Sequence, residues 1–198
     1  MVPVTTTAPV DSRFRQRLLD GLAAAITQGG FRDTTVADIV RQARTSRRTF
    51  YEHFSSKEEC LVALLADANR EMIRRISDAV DPRGPWAGQV RQAIEAWIAC
   101  AESEPAITLS WIRDVPALGA PARELQRDAM EGFITMTQRL TDTAELRAAG
   151  ISPPSRPLAI MLLGGLRELI ATTVEDGGRA GDVTEIAVRA SIALLGPG

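Results

Sequence analysis

The sequence predicts an all-α protein, three N-terminal helices ahead of a larger helical body, on three observations. Apolar residues recur at three- and four-residue spacings along nearly the whole chain, the period of an amphipathic helix. No stretch of useful length alternates apolar and polar residues as a half-buried strand does. Several prolines fall where a helix can begin, since the first turn does not need the missing N–H. The composition, 45% hydrophobic and 24% charged over 198 residues, is that of a globular chain long enough to build a real core.

Met1 to Val10 holds Thr, Pro and Val without an early positive charge or a long apolar run, so 1–10 is expected to be a flexible tail and not a signal peptide. Phe14, Leu18, Leu22 and Ala25 with Ile26 then form one stripe on a first helix. Asp11 or Ser12 can cap its start, and Gly29-Gly30 ends it. Thr35 followed by Asp38 is a variant of the capping box, and Val36, Ile39, Val40 and Ala43 give a helix of only about two turns. Arg44-Thr45-Ser46 interrupts the pattern. Phe50, Tyr51 and Phe54 give a second short apolar face over 46–54.

From Ser56 to about Val80 a long helix is expected, carried by Cys60, Leu61, Leu64, Leu65, Ala68, Met72 and Ile76. Ser55 or Ser56 can cap it, with Glu58 and Glu59 in the first turn, where the helix dipole favours acids. Pro82, Gly84 and Pro85 stop it. Further helices are expected at 86–103, at 105–114 after Pro105 and at 121–147 after Pro121. Pro153, Pro154 and Pro157 mark a loop. Leu158 to Glu175 then reads as a helix apolar almost all round, and such helices are buried. A last helix spans about 182–195. The domains expected are therefore the tail 1–10, a small domain 11–57 and a larger one 58–198.

The charge is uneven. The net charge is only -2, yet residues 1–57 hold nine basic and five acidic residues, and the remainder is acidic. A basic N-terminal quarter on an acidic body suggests a module that faces an anion. Twenty-two of the basic residues are Arg; Lys57 is the single Lys and His53 the single His. Two Cys and one His cannot make a four-ligand zinc site within one chain, so no metal or cofactor is expected. Any Ser-His-Asp or Cys-His catalysis would have to be built around His53, and the carboxylates form no acid/base motif, so no catalytic residue is assigned. No apolar run reaches the roughly 18–20 residues of a membrane span, and a chain so poor in Cys suits a reducing cytoplasm.

Two helices of about two turns, joined by a three- or four-residue turn, match helix-turn-helix geometry. The second carries Arg47, Arg48, Thr49 and His53 on its polar side and Phe50 and Phe54 on its apolar side. A helix of that shape fits the major groove, where Arg donates two hydrogen bonds to guanine O6 and N7. Thr, Tyr and Lys side chains suit phosphate oxygens, which fix the register of the helix on DNA.

Thr34-Thr35-Val36-Ala37-Asp38-Ile39-Val40, followed by Ala43 through Glu58 with its core Thr49-Phe50-Tyr51-x-His53-Phe54-x-x-Lys57-Glu58, resembles the TetR family of bacterial transcriptional regulators. The likeness covers about residues 12–65. It implies a homodimer on palindromic double-stranded operator DNA and a divergent C-terminal domain that binds a small-molecule effector and releases the DNA. It places Thr35 as a cap near a phosphate, and Arg47 and Arg48 at bases. Thr49, Tyr51 and Lys57 fall at backbone contacts, His53 close to the groove, and Arg44, Thr45 and Ser46 in the DNA-facing turn. Four positions depart from the family. Gly is usual at Arg44, where Arg costs about 1 kcal/mol if φ is positive. A small residue is usual at Val40, Gly is common at Arg48, and Ala37 offers no base-reading side chain.

In the body, Met72, Trp97, Trp111, Met130, Phe133 and Met136 read either as ordinary core or as the lining of a pocket for an apolar or amphipathic ligand. Leu162, Gly164, Gly165, Leu166 and Leu169, with Ile192 of the last helix, are candidates for a four-helix dimer interface. Cys60 and Cys100 read as buried apolar residues, since no basic neighbour in sequence favours a reactive thiolate. Two other readings stay open: a ligand-independent DNA-binding regulator or an activator of the same fold, and an enzyme whose N-terminal helices are structural.

Overall fold

The structure, a computed structural model, describes residues 10–196, all helix and connection with no strand among the described residues. Two compact units divide the chain after Leu65, within a single helix. The expected tail lies outside the described residues except at Val10, where the first helix begins.

In the N-terminal unit, α1 runs Val10–Asp33, with Gly30 at φ 77° setting its last turn apart from its body. The helix therefore yields at the expected glycine pair. It starts earlier than expected, so Asp11 lies in the first turn and not at the cap. α2 (Val36–Gln42) opens on the capping box: Thr35 accepts from the Asp38 N–H, and the Asp38 carboxylate accepts from the Thr35 N–H at 3.0 Å. That carboxyl is held below its usual range by the bonds from Thr35, with the Arg41 cation adding to the effect. α3 (Arg47–His53) is capped by Ser46, which accepts from the Thr49 N–H at 3.1 Å. α4 (Lys57–Ala79) starts with Ser56 accepting from the Glu59 N–H, while Glu59 accepts in turn from the Ser55 N–H.

The core of this unit is built from the stripe read in the sequence. Leu18, Leu22 and Ile26 of α1, Ile39 of α2, Phe50 of α3 and Leu61 of α4 are fully buried, with Phe31 and Phe54 nearly so. The closest approach is between α1 and α2. A Cβ on Gly21 would stand 2.7 Å from the Ile39 carbonyl oxygen and 2.9 Å from the Ala43 nitrogen, distances that only glycine admits.

The C-terminal unit holds the rest of α4, then α5 (Trp86–Ser103), α6 (Pro105–Leu109), α7 (Ala120–Thr141), α8 (Ala144–Ala148), α9 (Arg156–Glu175) and α10 (Thr184–Leu195). The expected helix 105–114 is present, but its second half, Ser110–Asp114, is a π-helical turn that passes into a 3-10 turn over Val115–Leu118. The expected helix 121–147 breaks at Asp142, because Thr143 turns its hydroxyl to the Leu146 N–H and starts α8 afresh. The last helix is preceded by a 3-10 turn, Ala180–Val183, in which Asp182 accepts from the Arg179 N–H.

Val90, Ile94 and Ile98 of α5 meet Leu162, Leu166 and Ile170 of α9 and Val188 and Leu195 of α10 in the main core of this unit. α9 corrects the expectation of a helix buried all round: its opposite side leaves Met161 65% and Ile160 39% exposed. By length and composition alone α9 could cross a membrane. It carries Arg167 and Glu168 at its centre, however, and Glu168 and Glu175 both pair with Arg113 of the π-helical turn.

Replacing Gly21 with Ala drives a methyl into the α2 backbone. We expect a loss of about 1–3 kcal/mol in stability, read from the urea midpoint of the full chain. An unchanged midpoint would show that α1 can retreat at no cost.

Candidate nucleic-acid interface

α3 separates its side chains cleanly. Phe50 is fully buried and Phe54 nearly so, with the Phe50 and Phe54 rings 5.8 Å apart. On the other side Arg47 and Arg48 are exposed, and Tyr51 is 59% exposed while its ring meets the edge of Phe50 at 5.4 Å. Arg47 has no side-chain partner among the described residues. Arg48 pairs with Glu52 one turn on, at 3.1 Å. That pair is exposed and is worth little, so Arg48 can leave it for a stronger anion at small cost.

The turn before α3 is bent by Arg44, whose φ is 49°. The Thr45 N–H reaches back to the Val40 carbonyl at 3.0 Å and the Arg44 N–H to Arg41 at 3.2 Å, the bonds that close a helix ending in a left-handed residue. Ser46 and Thr49 are joined at 3.0 Å between their hydroxyls, so both serve the cap of α3 while remaining at its outer end. Thr35 is engaged in the same way at the start of α2.

Two residues grouped with these by the sequence sit elsewhere. The Lys57 ammonium faces inward: it donates to the carbonyls of Phe31, Arg32 and Thr34 at 3.2, 3.1 and 2.8 Å, and lies 4.7 Å from the centre of the Phe31 ring. Three donors meet three carbonyls around the end of α1, where the helix dipole favours a cation. His53 keeps only 9% of its side chain exposed and stands 3.6 Å from Asp11 of α1. Both tie α3 and α4 to α1 instead of facing outward.

Sequence reasoning missed Arg17 and Gly21 altogether. Arg17 donates to the carbonyls of Ala43 and Arg44 at 2.5 and 2.6 Å. Its separation from them in sequence, 26 and 27 positions, left no local signal. Gly21 had a signal in principle, a helical glycine on an otherwise apolar stripe.

In the C-terminal unit the residues read as a pocket lining are spread over several elements. Met72 of α4, Trp111 of the π-helical turn and Met130 and Phe133 of α7 are half-buried, and Met136 is buried. Trp97 packs against the α5–α9–α10 core. The residues read as a dimer interface divide: Leu162 and Leu166 are buried in that core, and Leu169 and Ile192 pack against it. At Gly164 and Gly165 an added Cβ would meet nothing within 4 Å. Among the described residues, no other helix packs within 4 Å of that position at either glycine.

Cys60 is buried, which pushes its thiol up to about 12. Burial also raises Cys100, partly offset by the nearby Arg75 cation.

Two outcomes follow from these contacts. Lys57→Met keeps the apolar stem over Phe31 and removes the donors, and is expected to lower stability by about 1–3 kcal/mol in chemical denaturation; no loss would mean that water serves the three carbonyls equally well. A thiol-reactive dye at neutral pH is expected to label Cys100 well before Cys60, which stays unmodified until the chain unfolds; early labelling of Cys60 would contradict its burial.

Residues 18–64 match the family model described as bacterial regulatory proteins, tetR family. The HTH-type transcriptional regulator YhgD of Bacillus subtilis (strain 168), itself uncharacterized, is 26% identical over 82 residues, 41% of this chain and 43% of that protein; the match thus spans less than half of the relative. Among solved structures, the transcriptional regulator FadR from Bacillus subtilis in complex with stearoyl-CoA superposes with a TM-score of 0.76 at 15% identity, covering 91% of this chain and 97% of that one. The fatty acid degradation regulator FadR from Bacillus halodurans gives 0.78 at 13% identity, over 92% and 95% of the two chains. The reduced form of E. coli NemR gives 0.69 at 18%, over 93% and 99%. Residues 18–64 thus carry the helix-turn-helix segment of the tetR family of bacterial regulatory proteins, and the chain as a whole shares the fold of these solved regulators.

Proposed function

We propose that the protein is a ligand-responsive repressor that binds palindromic operator DNA as a homodimer in the cytoplasm and is released by an apolar or amphipathic small molecule. The observation that carries this reading is the exposed face of α3, where Arg47 is unpartnered among the described residues and Arg48 and Tyr51 flank it. Arg47 and Arg48 read bases in the major groove, with Arg44 beside them at the turn. Thr35, Thr45, Ser46, Thr49 and Tyr51 meet phosphate oxygens at the ends of α2 and α3. Lys57 and His53 act at one remove, by fixing α1 against α3 and α4. A twofold dimer presents two such helices to major grooves about 34–36 Å apart or more.

Support for the dimer comes from the apolar surface left on the last two long helices. Ile160 and Met161 of α9 and Ile186 and Leu194 of α10 are exposed, and glycines 164 and 165 share the exposed side of α9 with Ile160 and Met161. An exposed apolar face of this kind is suited to a second copy of itself. Support for an amphipathic effector comes from the half-buried Met and aromatic side chains of α4, the π-helical turn and α7, and from the FadR structure solved with stearoyl-CoA. Binding in the C-terminal unit favours a state of lower DNA affinity, by differential affinity for two states.

Arg47→Ala is the first test. The probe is duplex DNA from upstream of the protein's own gene, read by gel shift. We expect a loss of about 1–3 kcal/mol with relaxed sequence preference; equal affinity and preference in the variant would remove Arg47 from base readout. A thermal-shift screen of acyl amphiphiles, read alongside release of the same DNA, tests the effector class.

A further inference from the structure

We infer that Arg17 of α1 is a positioning residue for DNA recognition: its guanidinium clamps the turn that holds Arg44 at positive φ and so fixes the direction in which α3 presents Arg47 and Arg48. The inference rests on the reading of α3 as the recognition helix.

Arg44 is the one non-glycine residue at positive φ among the described residues. A left-handed residue after a helix is ordinarily glycine, because an L side chain crowds the following carbonyl there. The turn is thus built on a residue that resists its conformation. The backbone bonds that close α2 use the N–H groups of Arg44 and Thr45. The carbonyls of Ala43 and Arg44 are met by Arg17, which donates to both from one terminal nitrogen. A cation at the C-terminal end of α2 is favoured by the dipole, and charge-assisted bonds are stronger than neutral ones.

Arg17 is also held where it acts. Its guanidinium carbon lies 5.5 Å from the centre of the Phe14 ring. One helical turn further along α1, Gly21 lets the α1 backbone close on Ile39 and Ala43. Only Thr45 and Ser46 separate Arg44 from the first residue of α3, and Ser46 is that helix's cap. A rotation at Arg44 therefore swings α3 as a body. Arg17 acts on the Arg44 carbonyl, at the hinge of that swing.

The test is a double-mutant cycle on the full chain with Arg17→Gln, Arg44→Gly and both together. The specific probe is a duplex enriched from a random pool by the wild-type protein; the non-specific probe is a random duplex. Arg17→Gln is expected to lower specific affinity about 10-fold, leaving non-specific affinity and the slope of log K against log salt unchanged. In the Arg44→Gly background its effect is expected to shrink to within about 2-fold, because glycine holds positive φ unaided. Equal losses on both probes with the slope reduced by about one would make Arg17 a phosphate contact and overturn the inference. So would no loss at all, or the same loss in both backgrounds. Thermal unfolding of the same four proteins without DNA gives a parallel cycle: Arg17→Gln lowers Tm more beside Arg44 than beside glycine, and equal shifts overturn the clamp. If the wild type binds no duplex, the reading of α3 fails while the Tm cycle still decides whether Arg17 holds the turn. Should Arg17→Gln fail to fold, Arg17→Met, which keeps the apolar stem and removes the donors, carries the cycle.

Discussion

Helices as short as α2 and α3, seven residues each, form too few hydrogen bonds to repay their own nucleation. They exist because α1 is pressed against them, and the contact that permits this is at Gly21, where the backbones of α1 and α2 come closer than any side chain would allow. From that contact follow the burial of Leu18, Leu22 and Ile39, the reach of Arg17 to the turn, and the seating of Phe50 and Phe54 under α3. The outward face of α3 is defined only because its inward face is held.

The cations of the N-terminal unit divide into two groups by what they meet. Arg17 and Lys57 are turned to backbone carbonyls, the first at the end of α2 and the second at the end of α1. Both sit where a helix leaves its last acceptors without intrahelical donors and where the dipole is negative. Arg44, Arg47 and Arg48 are turned outward. A basic quarter of the chain is therefore partly structural charge, and only part of it remains for an anionic partner.

In the C-terminal unit one helix has two unlike apolar sides. α9 gives Leu162, Leu166 and Ile170 to the protomer core, and leaves Ile160, Met161 and the glycines 164 and 165 on its other side. A helix apolar all round has apolar residues for a core side and for an exposed side alike. That is why the sequence pattern named Leu162 and Leu166 for an interface while the packing against α5 and α10 claimed them for the core.

The residue order alone was enough for the helical period, the Thr35–Asp38 capping box, a cap at Ser55 or Ser56, the break at the Gly29–Gly30 pair and the separation of Phe50 and Phe54 from Arg47 and Arg48. Each of these is set by atoms within four residues of one another, so spacing carries the signal. The tertiary structure decided the rest. It turned Lys57 and His53 inward and placed Arg17 beneath Arg44. It also ended α7 at Thr141 and converted Ser110–Asp114 to a π-helical turn. A charged side chain has no preferred partner until the chain brings carbonyls or carboxylates within hydrogen-bond reach. For Arg17 and Lys57 those partners lie more than twenty positions away, across contacts that only the packing of α1 creates.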